Sequence, residues 1–294
     1  MRKLLNLLLL LPVLFACSKT DAGVTFSLSF DRSLPDYKTV NVPTKADGHT
    51  VRHFVNVYKV TDAGEVVNQT APVYHYAWDG DSDTYETTIP AGRYRVMAWS
   101  DYVLDGSPAT YWNASDFTNI RMANTHAGSN EYIRAYKGQA DLTVSAEGSV
   151  TATIPMASPM GKFVVLSTEK QTSLPQGLRV RFSYTQFMPS GFGMFFDKPT
   201  DSQAGVKFES TPQLNADGTV LLGFDYVLTN GSESQVPILM ELLDANGNAG
   251  STFSFTVPLV RGKVTTVSGE FLTGASQGAV VINSDFEGNL NYKL

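Results

Sequence analysis

The sequence predicts an all-β protein built from two tandem β-sandwich domains, and three observations predict it. Many short segments alternate apolar and polar residues with a period of two, which is typical of strands that bury one face. Turn sequences such as Asp79-Gly80 and Asn246-Gly247 separate these segments. No long segment carries an apolar stripe of helical period, so helices are not expected in the core.

Residues 1–16 have the features of a secretory signal peptide. Arg2 and Lys3 precede an apolar run from Leu4 to Ala16. At ~1.5 Å rise per residue this run is too short for the ~30 Å core of a bilayer, so it indicates export rather than a membrane span.

The next residues indicate a lipid anchor. The segment ending in Ala16-Cys17 resembles the lipobox of bacterial lipoproteins, in which the chain is cut before the cysteine and the sulfur receives a lipid. Cys17 is the only cysteine of the chain, so no intramolecular disulfide is expected. Acyl chains such as palmitate would hold the linker 17–23 at the outer membrane, which Ser18 also favours. The alternative is a chance cysteine beside an ordinary secretory cleavage site.

The N-terminal domain is predicted to span residues 24–157. Its first strand places Val24, Phe26, Leu28 and Phe30 on one face, with polar residues between them. The segment 101–137 has no strand character, is rich in Tyr, and is predicted to be a loop that is either functional or partly ordered on its own. The other predicted strands of this domain are 51–60, 72–78, 84–89, 93–100, 141–146 and 149–154.

The C-terminal domain is predicted to span residues 158–294. Pro155 and Pro159 mark the boundary, because two prolines so close together fit a linker or an interdomain strand. The predicted strands of this domain are 161–168, 178–184, 218–224, 236–243, 252–259, 263–271 and 279–283.

Composition excludes one class of partner. Hydrophobic residues make up 43% of the 294 residues, which suffices for packed cores. The formal net charge is −6, and no block of Lys or Arg follows the N-terminus. Because nucleic-acid binding needs a basic surface, no nucleic-acid partner is expected.

Two stretches resemble the fimbrillin-type lipoproteins of gut and oral anaerobic bacteria. The more specific is C-terminal: a strand, turn and strand at 257–273, followed at 281–286 by a final strand with an acidic residue and Phe. The first half adds residues 89–99 and an Arg-x-aromatic-x-Gly element at 134–138. The order of these motifs, together with the lipobox, carries the resemblance over most of the chain.

The resemblance implies two transthyretin-like, Greek-key sandwich domains and a role as a fimbrial anchor or accessory subunit that binds other fimbrial subunits. In pilus subunits of this family, a trypsin-like protease removes the first strand after a basic residue, and a strand of another subunit then fills the groove. Here Arg32 follows the first strand and is the implied cleavage site, or else an ordinary loop residue. An anchor subunit would keep its first strand and its lipid.

Neither enzymatic activity nor a cofactor is expected. Residues 274–278 match the G-x-S-x-G pattern of hydrolases, but a strand-like run follows them and no His lies later in the chain. His49 and His53 are four residues apart in a strand-like segment, where this spacing does not form the metal-binding pair of a helix.

No metal site is predicted either. Asp79, Asp81 and Asp83 alternate at an acidic hairpin tip and are at most a weak calcium candidate. They lack the Gly and Glu that an EF-hand loop has at its sixth and twelfth positions.

A cell-surface glycan-binding lipoprotein is the alternative function. Trp112 beside Tyr111, and Trp78 beside Tyr74 and Tyr76, would stack on sugar rings if they formed an exposed platform. Aromatic residues also fill sandwich cores, so the alternative depends on the exposure of these indoles.

Overall fold

A computed structural model describes residues 21–30, 48–104, 107, 111–123, 126–231, 233–273, 279–284 and 288–291. From residue 274 onward it describes the backbone alone. Among the described residues, no helix is long and apolar enough to cross a membrane.

The predicted all-β class is confirmed, because the described secondary structure is strands with one short 3₁₀ turn at Glu131–Ile133. In chain order the strands are β1 (Asp21–Phe30), β2 (His49–Lys59), β3 (Tyr74–Asp79), β4 (Thr84–Pro90), β5 (Gly92–Leu104), β6 (Trp112–Asn113), β7 (Ile120–Met122), β8 (Ala135–Val144), β9 (Ser149–Ala157), β10 (Met160–Ser167), β11 (Arg179–Tyr184), β12 (Met188–Gly193), β13 (Lys198–Gln203), β14 (Lys207–Ser210), β15 (Gln213–Leu214), β16 (Val220–Leu228), β17 (Ser234–Leu243), β18 (Ala249–Leu259), β19 (Val264–Gly269), β20 (Ala279–Ser284) and β21 (Gly288–Asn291).

The first half forms one seven-stranded sheet, which we call the N-terminal sheet, in the order β3-β2-β5-β8-β9-β1-β4. It bends between β8 and β9, which pair only at Lys137↔Ala157 and Gly138↔Met156. A Cβ on Gly138 would lie 2.4 Å from the Pro155 carbonyl oxygen, so the bend requires glycine here. The bend brings opposite ends of the sheet together around one apolar core, where Phe26 of β1 lies 5.5 Å from Tyr76 of β3.

The second half forms two further sheets around a core of its own. One is six-stranded, β15-β16-β10-β19-β20-β21, and the other is four-stranded, β14-β11-β17-β18. Their facing residues include Phe163, Phe182 and Val257, each with no exposed surface. Alternation of buried and exposed residues along β11 and β17 is what a two-layer sandwich requires.

A fourth sheet, β13-β12-β7-β6, contains strands from both halves, and we call it the junction sheet. Its central pairs are Gly191↔Arg121 and Phe192↔Ile120. A third apolar core lies beside it and joins Trp99 and Trp112 of the first half to Met160 and Tyr226 of the second. The expected boundary near Pro159 falls between β9 and β10, and the division into two domains there remains a prediction.

The segment 101–137 was expected to lack strands, and that expectation is wrong. β5 continues to Leu104, β8 begins at Ala135, and β6 and β7 lie between them. These strands form because their partners lie far away in the sequence, on β12 and on the neighbouring strands of the N-terminal sheet.

Candidate functional site

The first strand fills a groove between two other strands of the N-terminal sheet. β1 pairs with β9 in parallel from Gly23 to Phe30 and with β4 in antiparallel from Asp21 to Ser27. The backbone N–H of Leu28 also donates to the carbonyl of Asp83 at 2.8 Å. Both edges of β1 are therefore bonded to neighbours over most of its length.

The inward side chains of β1 are almost completely enclosed. Val24, Phe26 and Leu28 are 2%, 0% and 2% exposed. Phe30 is half-buried and contacts Tyr136 edge-on at 5.4 Å between ring centroids. Removing β1 would therefore open a groove with a row of apolar pockets at alternate positions, which is the form of site that accepts an added strand.

His53 lies beside the end of this groove, where its ring is 6.3 Å from that of Phe30. Its Nδ1 is 2.8 Å from Ser100 Oγ and its Nε2 is 3.3 Å from the Gly80 carbonyl oxygen. Burial lowers the pKa of His53 from 6.5 to about 4, and the Gly80 carbonyl and the charge of Asp81 oppose part of that shift. The ring is therefore neutral in the folded protein at neutral pH.

Three predicted features fall where the structure gives no description. Cys17 with residues 1–16, the proposed cleavage residue Arg32, and the G-x-S-x-G segment 274–278 all lie outside the described residues. In the sequence, Arg32 comes two residues after Phe30, where β1 ends.

The acidic and histidine candidates do not form ligand clusters. Among the described residues, no three Asp, Glu, His or Cys side chains come together as metal ligands, and this includes Asp79, Asp81 and Asp83. His49 stacks on Tyr132 at 3.7 Å, whereas His53 bonds to Ser100.

Trp78 and Trp112, which would stack on sugars only if exposed, do not form an exposed platform. Trp112 has no exposed surface, and its Nε1 donates to the Ile133 carbonyl at 2.8 Å. Trp78 is half-buried, and its ring packs against His53 and Tyr85 at 5.1 and 5.0 Å. The indole of Trp112 fills the third apolar core, so the glycan-binding alternative loses the support that an exposed Trp112 would have given it.

A different feature, which the sequence did not indicate, is an open pocket on the outer face of the N-terminal sheet. We call it the front pocket; it has a volume of about 310 Å³. Strand register explains its position, because Phe54 and Asn56 of β2 lie opposite Ala77 and His75 of β3. The residues that line it are Arg52, Phe54, Asn56, Pro72, His75, Trp112, Asn113, Ala114 and Ser115.

One wall of the front pocket is a buried ion pair. Arg52 donates from Nε and Nη2 to the two carboxylate oxygens of Asp101 at 2.9 and 2.8 Å, and from Nη2 to the Trp112 carbonyl at 3.1 Å. The guanidinium also lies over the Phe54 ring at 4.6 Å. Arg52 and Asn56, on one face of the predicted strand 51–60, were the available signal, but the covering turn 112–115 could not be predicted from the sequence.

A second buried polar cluster joins the two halves. His126 Nε2 is 2.5 Å from Asp225 Oδ2, and the hydroxyl of Tyr184 donates to the same oxygen. Burial raises the pKa of Tyr184 well above its ordinary value, and the charge of Asp225 raises it further. With His126 at 6% and Asp225 at 0% exposure, the cluster is closed to substrates and holds the 126–130 segment against β16.

Comparison with known families gives one match over nearly the whole chain. The profile of a family of unknown function, DUF6562, matches residues 18–294. No curated protein matches the chain.

Solved structures with a similar fold come from species of Bacteroides and Porphyromonas. A candidate polysaccharide-binding protein of Bacteroides thetaiotaomicron superposes with a TM-score of 0.54 at 10% identity, covering 89% of this chain and 96% of its own. A candidate adhesin of Bacteroides ovatus has a TM-score of 0.50 at 11% identity, with coverages of 93% and 96%. The fimbrial anchor protein Mfa2 of Porphyromonas gingivalis has a TM-score of 0.47 at 10% identity, with coverages of 92% of this chain and 99% of its own.

The first two superpositions show that the chain shares the fold of a candidate polysaccharide-binding protein and of a candidate adhesin. None of the three is described as an enzyme.

Proposed function

The chain belongs to the family of unknown function DUF6562, and from that premise we propose that it is a non-enzymatic envelope lipoprotein that serves a fimbrial assembly as anchor or accessory subunit. It binds other subunits by strand addition at the groove that β1 occupies. The observation that carries the proposal is the double pairing of β1, whose inward side chains are 0–5% exposed from Ala22 to Leu28.

The position of β1 in the chain supports exchange. Only three residues separate β1 from Cys17, and Arg32 comes two residues after the end of β1. In an anchor subunit, a lipid on Cys17 would hold β1 and the rest of the protein at the outer membrane. In an accessory subunit, proteolysis after Arg32 would free the rest of the protein from β1 and from the lipid together. A strand of similar alternation from a partner would then find backbone partners on β4 and β9.

A cross-strand disulfide tests this proposal. Thr25 of β1 lies opposite Glu86 of β4, and antiparallel partners have Cα separations that a disulfide spans. The double variant Thr25→Cys/Glu86→Cys should lock β1 in its groove. If the groove receives partner subunits, the locked protein should recover at least about tenfold fewer of them from host envelopes than the reduced protein does.

The matched control is Glu241→Cys/Thr252→Cys, which replaces a Glu and a Thr that face each other on β17 and β18, as the test variant does on β4 and β1. Its disulfide should leave partner recovery unchanged. If the oxidised and the reduced Thr25→Cys/Glu86→Cys variants recover equal amounts of partner subunits, this groove is ruled out as the binding site. Cys17→Ala serves as a separate arm, since it should release the protein from the membrane fraction without changing the groove.

Glycan binding at the cell surface is the second candidate function. The specific observation that favours it is the front pocket, whose lining mixes polar with apolar residues and is mostly uncharged. A fold neighbour described as a candidate polysaccharide-binding protein supports the same class of ligand.

A further inference from the structure

The front pocket combines an aromatic floor with hydrogen-bonding groups fixed in place. Asn56 Nδ2 donates to the Tyr58 hydroxyl at 3.1 Å, and Asn56 Oδ1 lies 2.6 Å from His75 Nδ1. Because an amide oxygen only accepts, His75 donates from Nδ1 to it, and a neutral ring then keeps Nε2 as an acceptor. The exposed His75 thus brings a positioned acceptor to the pocket.

The opposite rim of the front pocket carries hydrogen-bond donors. Asn113 Oδ1 accepts from the Ser115 backbone N–H at 3.1 Å, which orients the amide of Asn113. Its Nδ2 therefore offers two N–H donors at the pocket, and the Ser115 hydroxyl beside it both donates and accepts. Asn113 and Ser115 are both exposed, so a ligand reaches them without any rearrangement.

The charge of the lining points to an uncharged ligand. Arg52 is its one Lys, Arg, Asp or Glu residue. Two hydrogen bonds to Asp101, which is 1% exposed, neutralise that guanidinium. An anionic ligand would have to compete with a buried carboxylate for Arg52, and the lining has no carboxylate to pair with a cation.

We propose that the front pocket binds a neutral sugar unit, held by hydrogen bonds to His75, Asn113 and Ser115 over the Phe54 ring. Sugar hydroxyls both donate and accept, which suits a site that presents both kinds of group. The C–H face of a sugar ring packs on the apolar surfaces of the half-buried Phe54 and Pro72. A volume of about 310 Å³ is at the low end of the ~300–1,000 Å³ range of small-molecule sites and suits one residue at the end of a glycan.

This inference rests on the second candidate function and is independent of strand exchange. The test uses the processed full-length protein in detergent and saturation-transfer difference NMR. The probes are the methyl glycosides of glucose, galactose, mannose and N-acetylglucosamine, with glucuronic acid and N-acetylneuraminic acid as charged comparators. At least one neutral glycoside should show saturable binding with a Kd in the millimolar range. The acidic sugars should bind at least about tenfold more weakly.

Variants then assign the binding to the pocket. His75→Ala and Asn113→Ala should each weaken binding about tenfold, and Ser115→Trp should abolish it by filling the pocket. Two controls lie on exposed surfaces elsewhere, Asn246→Ala and Phe187→Ala, and should leave binding unchanged.

The proposal is overturned if no neutral glycoside saturates, if only acidic sugars bind, or if Ser115→Trp and His75→Ala both bind like the parent protein. Failure of the pocket is distinguishable from failure of the fimbrial role. Pocket variants should still recover partner subunits, and the Thr25→Cys/Glu86→Cys lock should still bind sugar.

Discussion

The first strands of the two halves, β1 and β10, have the same pairing but different connections. β1 pairs in parallel with β9 and in antiparallel with β4, and β10 pairs in parallel with β19 and in antiparallel with β16. β10 is joined to β9 through Ser158 and Pro159 alone, whereas seventeen residues, 31–47, separate β1 from the described chain that follows it.

The comparison shows that backbone pairing alone does not decide whether a strand can be exchanged. Both strands bury alternate side chains in a core, so both stabilise their sheets by the same physics. Cutting the chain on one side of β1 frees it from the rest of the protein. Cutting beside β10 would leave it attached to β11 or to β9, so β10 is a permanent part of the fold.

The largest expected effect concerns the strand that we propose to be exchangeable, β1. A chain lacking residues 1–30 should bind a peptide of residues 21–30, and Phe26→Ala in the peptide should weaken that binding at least about 100-fold. The reason is that emptying a fully buried Phe pocket costs about 3–5 kcal/mol. Fluorescence anisotropy of a labelled peptide measures both affinities.

The matched peptide carries Thr25→Ala, which changes a side chain that points away from the core, and should bind within a few-fold of the parent. A truncated chain that is folded and shows no affinity for the peptide would contradict an exchangeable β1.

The next largest effect is acid destabilisation confined to the first half. The folded pKa of His53 is about 4 and the unfolded pKa 6.5, so between these values the unfolded chain binds more protons. The free energy of unfolding should therefore fall as the pH falls from 6.5 to 4, by on the order of 3 kcal/mol, and this contribution should be constant below pH 4. Urea titrations at several pH values, followed by tryptophan fluorescence, report it because all three Trp residues lie in the first half.

His53→Gln should flatten this slope, and the exposed His75→Gln should not. Since His53 contacts Phe30 at the end of β1, the same acidification should also speed release of the β1 peptide. An unchanged slope in His53→Gln would assign the acid sensitivity to another group.

A smaller effect on the free energy of unfolding is expected when one glycine of β10 or of β1 is replaced by alanine. A Cβ on Gly161 of β10 would lie 2.9 Å from the Val260 carbonyl oxygen, so Gly161→Ala should destabilise the protein by about 1–3 kcal/mol. A Cβ on Gly23 of β1 would meet Ser149 Cβ at an ordinary 3.5 Å, so Gly23→Ala should be close to neutral. Chemical denaturation of both variants checks the pair, and equal losses would show that the two strands are packed equally tightly.

Alternation in the sequence predicted strands where one face is buried. The predicted strands 24–30, 84–89 and 236–243 each lie within an observed strand, because each has apolar residues at every second position. β12 and β13 were missed, since β12 is buried at nearly every position and β13 is mostly exposed. Neither pattern has a period of two, and these strands form through pairing with each other and with β7.

The candidate sites were predictable to different degrees. The inward set of β1 follows from local alternation, so Val24, Phe26 and Leu28 were identified from sequence. The front pocket needs the register of β2 against β3 and the position of the turn at Asn113, which depend on contacts between distant segments. The burial of Trp112 has the same cause, because its cover comes partly from residues of the other half, such as Met160 and Tyr226.

The junction sheet also constrains the order of events during synthesis. Ile120 is made about seventy residues before Phe192, and Trp112 about eighty; Phe192 pairs with Ile120 and completes their cover. Until then the emerging chain presents uncovered apolar side chains to its surroundings, and non-local pairing of this kind is slow. The first half is therefore open to aggregation for the interval in which the second half is still being made.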